Sequence, residues 1–163
     1  MSSTKITPAS KSLQIKAGKG EIPPPVIEKA EEVIRNNDED FLSISVGFLS
    51  RLEDAVSRAK SGTGGQAELI SGMTKPVMEL KANAKMFKYD LVTSLANIML
   101  DFLETIETLD LNAIEIVAAH HRTLSLITAK QMKGDGGQMG PVLQKELQNA
   151  VQRYFAQKKK TAE

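Results

Sequence analysis

The sequence has no cysteine and no tryptophan, and aromatic residues make up only 4% of its 163 positions. Without cysteine, disulfides, thiol nucleophiles and the common thiolate zinc sites are excluded. The same absence agrees with a reducing compartment, and we expect the cytoplasm. The scarcity of aromatic side chains weakens any role that depends on stacking nucleic-acid bases.

An excess of one charge and long apolar runs are also lacking. The chain has 21 basic and 20 acidic residues, well mixed, and a formal net charge of +1. It therefore has no global field that would hold nucleic acid or an acidic membrane. No apolar run approaches the roughly 18 residues of a membrane-spanning helix. We expect neither nucleic acid nor a membrane as a partner.

The two ends of the chain differ in composition from the middle. Residues 1–22 contain four lysines among many serine, threonine, glycine and proline residues, which is typical of a disordered basic tail. Residues 158–163, KKKTAE, form a shorter basic tail. Residues 23–157 have enough apolar residues for one compact domain with a core.

Apolar residues recur at helical spacing throughout this middle part. The first helix is expected after the prolines at 23–25, and the second to end at the SGTGG segment, residues 61–65. The third is expected at about 66–88, with a kink or a restart near Pro76, for which Thr74 is an alternative N-cap.

The remaining helices follow from capping residues and a glycine-rich break. Asp90 and Asp110 are placed to cap the fourth and fifth helices, and GDGGQMG, residues 134–140, separates the fifth from the last. Short connections favour antiparallel neighbours. The sequence thus predicts an all-α fold: an antiparallel bundle with a four-helix core and extra N- and C-terminal helices.

The third helix contains MELKANAKMF, residues 78–87, followed by a turn and a further amphipathic helix. This order resembles the histidine-containing phosphotransfer (HPt) family of bacterial two-component signalling, whose signature is roughly H-x-L-K-G-S-A. The resemblance extends over about residues 38–130. It implies a four-helix bundle that binds a response-regulator receiver domain or a histidine kinase.

A residue-by-residue comparison with the HPt signature implies that receiver binding is kept and that phosphotransfer is lost. Leu80 and Lys81 match the signature leucine and lysine, Ala82 replaces the glycine, and Met78 stands where the family has its phospho-accepting histidine. A thioether cannot hold a phosphoryl group. The resemblance therefore implies a receiver-binding surface formed by Met78, Lys81, Ala82 and Lys85, without phosphotransfer through residue 78.

The only two histidines, His120 and His121, lie on the fifth helix. With Val117 and Leu124 at the centre of the core face, they fall on its opposite flanks, so both are expected at the core boundary. An imidazole is partly neutral and nucleophilic at cellular pH, so either one is an alternative phosphoacceptor. Adjacent histidines on a helix point about 100° apart, and no metal site is expected.

Three functions follow from these observations. The main prediction is an HPt-like, cytoplasmic signalling module that binds a receiver domain, without a cofactor and without a recognisable catalytic set of residues. One alternative is an active phosphotransfer protein that uses His120 or His121. The other is a structural or assembly adaptor whose apolar helix faces self-associate, for example as a homodimer.

Overall fold

The computed structural model describes residues 22–35 and 40–162. This part of the chain is helical and has no strand. Its helices are α1 (Pro24–Arg35), α2 (Phe41–Lys60), α3 (Gln66–Met86), α4 (Asp90–Thr105), α5 (Leu111–Ala129) and α6 (Met139–Ala162). The predicted all-α fold is confirmed. Almost all of the predicted N-terminal tail, residues 1–21, lies outside the described residues.

The chain divides into two compact units, residues 1–38 and residues 39–163. Helix α1 belongs to the first unit, and its Val26 and Ile27 side chains are exposed. Helices α2 to α6 form the second unit. The single domain predicted over residues 23–157 includes α1, and the candidate site lies in the unit that begins at residue 39. No helix of the described chain is both long enough and apolar enough to cross a membrane.

The second unit is built on four helices that pack in a closed ring. Helix α2 contacts α3, α3 contacts α4, α4 contacts α5, and α5 returns to α2. Short connections join the successive members, so neighbouring helices run antiparallel. Helix α6 packs outside the ring against α4 and α5. The predicted four-helix core with an extra C-terminal helix is therefore present.

Helix α3 shows how the apolar spacing creates the core. Its Met73, Val77, Leu80 and Ala84 side chains are at most 1% exposed, as the three-and-four spacing predicts. Each large aliphatic side chain removed from water stabilises the fold by roughly 1.5–3 kcal/mol. The helix continues through Pro76 without a restart.

Of the three capping predictions one is confirmed, and the predicted C-terminal boundary of the last helix also differs from the structure. The Asp110 carboxylate accepts a hydrogen bond from the Ala113 N–H at 2.8 Å, which confirms it as the cap of α5. The prediction for Asp90 is wrong, because Asp90 is the first residue of α4 and Tyr89 occupies the N-cap. Thr74 is not a cap either, since its hydroxyl donates to the Ile70 carbonyl at 2.8 Å. Residues 158–160, expected in a tail, continue helix α6.

The glycine-rich segment between α5 and α6 is fastened to the turn between α3 and α4. The Gly134 N–H donates to the Lys88 carbonyl, and the Gly134 carbonyl accepts from the Leu91 N–H, both at 2.8 Å. At Gly140 an added Cβ would lie only 1.8 Å from the Asp135 carbonyl oxygen. Because this neighbour is backbone, it cannot move aside cheaply, and the segment requires glycine at residue 140.

This packing yields a matched pair of substitutions. Gly140→Ala is expected to lower the free energy of unfolding by about 1–3 kcal/mol, because the methyl group must displace backbone. Gly47→Ala, in α2, is expected to raise it by about 0.5–1 kcal/mol, since nothing lies within 4 Å of the added Cβ and alanine favours the helix. Urea denaturation followed by circular dichroism measures both. A Gly140→Ala variant as stable as the parent would contradict the described packing.

Candidate functional site

The outward side of α3 carries a line of small and apolar residues. Met78 is 56% exposed, Met86 is 66% exposed, and Ala82 between them is also exposed. Residues four apart lie one above the other on a helix, so these three share one face over about 12 Å. We call Met78, Ala82 and Met86 the α3 stripe.

Cationic side chains surround the α3 stripe. Lys75 and Lys81 lie one turn before and after Met78, Lys85 lies one turn after Ala82, and Lys88 follows in the turn. Lys81 is partly buried, and the other three are exposed. Within the described residues none of the four forms a salt bridge. Their positive charge is therefore available to a binding partner.

Arginines of α2 neutralise the acidic residues of α3. Glu68 accepts a hydrogen bond from Arg58 at 2.6 Å, which lowers the pKa of its carboxyl group. Glu79, beside the α3 stripe, forms a salt bridge with Arg51. The Arg51 guanidinium also lies over the Phe48 ring, 5.3 Å from its centroid. With both carboxylates paired, the exposed face of α3 is left cationic.

The structure brings together the residues that the sequence nominated for partner binding. Met78, Ala82 and Lys85 lie on the side of α3 opposite its core residues, and Lys81 lies beside them on a partly buried flank. Their binding role stays a prediction. The sequence reasoning missed Met86, although its position four residues after Ala82 is the signal that places it on this face.

His120 lies in the core and not at its boundary, so that expectation is wrong. The residue is 0% exposed, and its Nδ1–H donates to the Ile116 carbonyl at 2.9 Å. Its Nε2 atom has no hydrogen-bond partner among the described residues. Burial lowers the pKa of the imidazole and outweighs the hydrogen bond to Ile116, which raises it.

His121 occupies the other flank of α5 and is partly buried, as expected. Its Nε2 atom lies 3.1 Å from the Leu49 carbonyl oxygen and 3.3 Å from the Ser125 hydroxyl. A carbonyl only accepts hydrogen bonds, so Nε2 carries the proton. The side chain lines a groove of about 250 Å³ between α2 and α5, with Thr128 at its floor. This groove is separate from the α3 stripe.

Two polar contacts connect helix α6 to the start of α5. Lys158 Nζ lies 2.7 Å from an Asp110 carboxylate oxygen, and the Tyr154 hydroxyl donates to the Thr108 carbonyl at 3.3 Å. Burial raises the pKa of Asp110, but hydrogen bonds from Lys158 and the Ala113 N–H outweigh it and leave that pKa lowered. These contacts hold helix α6 against the start of α5. The described residues contain no cluster of three or more metal-ligating side chains.

No protein-family model, curated protein or solved structure matches this chain. The geometry of the described residues and the resemblance of residues 78–87 therefore carry the functional proposal.

The burial of His120 makes the stability of the fold depend on pH. Because its pKa is lower in the folded chain than its unfolded value near 6.5, unfolding takes up a proton as the pH falls. We expect the contribution of neutral His120 to the free energy of unfolding to be fully present above about pH 6.5. Below that pH the contribution should be lost progressively, toward the folded-state pKa of His120. His120→Leu should remove this decline, as measured by urea denaturation at pH 7.5 and pH 5.

The carboxylates whose pKa values are lowered in the fold act in a more acidic range. Glu68, Asp110 and Glu115 have lowered pKa values, so the stability that they contribute is lost only at more acidic pH. A parent chain equally stable at pH 7.5 and pH 5 would contradict the prediction. So would a His120→Leu variant that keeps the parent's decline.

Proposed function

We propose that this chain is an HPt-like signalling module that binds a receiver domain through the outer face of α3, without transferring phosphate through residue 78. The observation that carries the proposal is the α3 stripe itself: exposed apolar side chains bordered by four unpaired lysines on an otherwise core-packed helix. The resemblance of MELKANAKMF to the phosphotransfer signature supplies the class of partner.

The arrangement suits a partner with an acidic face. Ala82 leaves room for backbone loops to approach the helix, and the thioethers of Met78 and Met86 offer adaptable apolar contacts on either side. The lysines would speed the encounter with an acidic surface and orient it. Because exposed charges are screened beyond about 8 Å at physiological ionic strength, the attraction should weaken as salt is added.

The positions of the histidines argue against a relay in this chain. Met78 offers no nitrogen nucleophile. The Nε2 atom of His120 is enclosed in the core, so a phosphoryl donor would reach it only if α5 separated from its neighbours. The proton on His121 Nε2 is held by the Leu49 carbonyl, and this residue lies away from the cationic face.

Self-association through the same face is disfavoured by charge. In a two-fold symmetric dimer the same patch meets itself, so the lysines beside each α3 stripe would face those of the second copy. Like charges brought together at an interface repel one another. A partner with complementary charge fits this surface better than a second copy does.

Charge reversal tests the proposal directly. Lys81→Glu and Lys85→Glu together are expected to lower the affinity for a receiver domain about tenfold or more, because they replace attraction by repulsion at the proposed contact. The matched control is Lys145→Glu on α6, a helix that packs on α4 and α5 and is exposed at this position. Isothermal titration against purified receiver domains from the same cell measures both.

The same mixtures, prepared with phosphorylated receivers, separate the rival functions. We expect binding without any phosphoryl group on this chain. Transfer that disappears in a His120→Ala, His121→Ala double variant would establish an active relay and contradict the proposal. Absence of binding to every receiver, together with a mass that rises with concentration, would favour the self-associating adaptor.

A further inference from the structure

Five of the six methionines of the described chain fall into an exposed and a buried group, and the sixth, Met132, is partly buried. Met78, Met86 and Met139 are between 56% and 66% exposed, whereas Met73 and Met99 are 0% exposed. Oxidation of a thioether to the sulfoxide depends on access to the sulfur. A peroxide should therefore reach the two methionines of the α3 stripe and Met139 well before it reaches those of the core.

Met78 and Met86 occupy both ends of one proposed contact. They lie about 12 Å apart on the same face of α3, with Ala82 between them. A partner that covers Ala82 and engages the lysines on either side must also cover both thioethers. The chemical state of these two sulfur atoms consequently affects the most apolar part of the surface.

We propose that Met78 and Met86 are modification sites, and that their oxidation by a peroxide switches off binding at the α3 stripe. This inference rests on the proposed function. In the reaction with hydrogen peroxide, a sulfur lone pair attacks one peroxide oxygen and forms the S–O bond while the O–O bond breaks. The other oxygen takes up the proton of the attacked oxygen and leaves as water. The sulfur loses two electrons and the peroxide gains them.

The product changes the surface from apolar to polar. A sulfoxide oxygen is a strong hydrogen-bond acceptor, and burying it at an interface without a donor is unfavourable. We expect an affinity loss of about tenfold or more for the doubly oxidised chain. The fold is spared, because the core residues Met73 and Met99 are shielded. Sulfoxide reductases act on both epimers of the product, so the switch is reversible.

The test uses the full chain and hydrogen peroxide, with catalase added before the untreated receiver domain. Peptide mass spectrometry is expected to show one added oxygen at Met78, Met86 and Met139 while Met73 and Met99 remain unmodified. Circular dichroism should stay unchanged and the affinity should fall. Treatment with methionine sulfoxide reductases A and B should restore it.

Two variants assign the effect to particular sulfur atoms. A Met78→Leu, Met86→Leu double variant keeps apolar side chains of similar volume but has no sulfur at either position, so its own affinity, whatever its starting value, should not change on peroxide treatment. Met139→Leu, the matched control with the same exposure as Met78, should respond as the parent does.

The outcomes separate this inference from the proposed function. If the oxidised chain binds as tightly as the untreated chain, the inference is wrong and the proposed function stands. If peroxide still abolishes binding in the Met78→Leu, Met86→Leu variant, the sensitive group lies elsewhere and the inference is also wrong. If the untreated chain binds no receiver, both proposals fail.

Discussion

The burial of one side of α3 against α2 and α4 is the constraint on which the candidate site depends. Met73, Val77, Leu80 and Ala84 hold that side in the core, and each lost contact of this kind would be costly. Because a helix is rigid at this length, fixing one side also fixes the other. The α3 stripe is therefore presented to solvent in a set orientation, with no loop to order when a partner arrives.

The charge of that surface is set by a neighbouring helix. Arg51 and Arg58 of α2 pair with the two carboxylates of α3, and Arg51 also rests on the Phe48 ring. Exposed ion pairs of this kind add little stability, because solvent screens the attraction. Their consequence for recognition is larger, since they leave the lysines of α3 as the unpaired charges that a partner would meet.

Local spacing made much of the fold and part of the surface predictable. The burial of Met73 and the exposure of Met78 follow from the helical period alone, because both depend on which way a side chain leaves its own helix. The continuity of α3 through Pro76 was less accessible, since packing against neighbouring helices overrode the local signal for a break.

The features that the sequence did not predict depend on contacts between residues far apart in the chain. The complete burial of His120 depends on how the other helices pack around α5, and a helical wheel of α5 contains no information about that packing. The pairing of Arg51 with Glu79 joins two helices across the bundle surface. Such contacts are properties of the assembled tertiary structure, whereas the residues of the α3 stripe are ordered by a single helix.

We propose that a partner covers the outer face of α3. The most direct measurement is nuclear magnetic resonance of the full chain with ¹³C-labelled methionine methyl groups, titrated with a receiver domain. We expect the Met78 and Met86 signals to shift or broaden, while those of Met73, Met99 and Met139 stay in place. A bound receiver that leaves the Met78 and Met86 signals unchanged would contradict it.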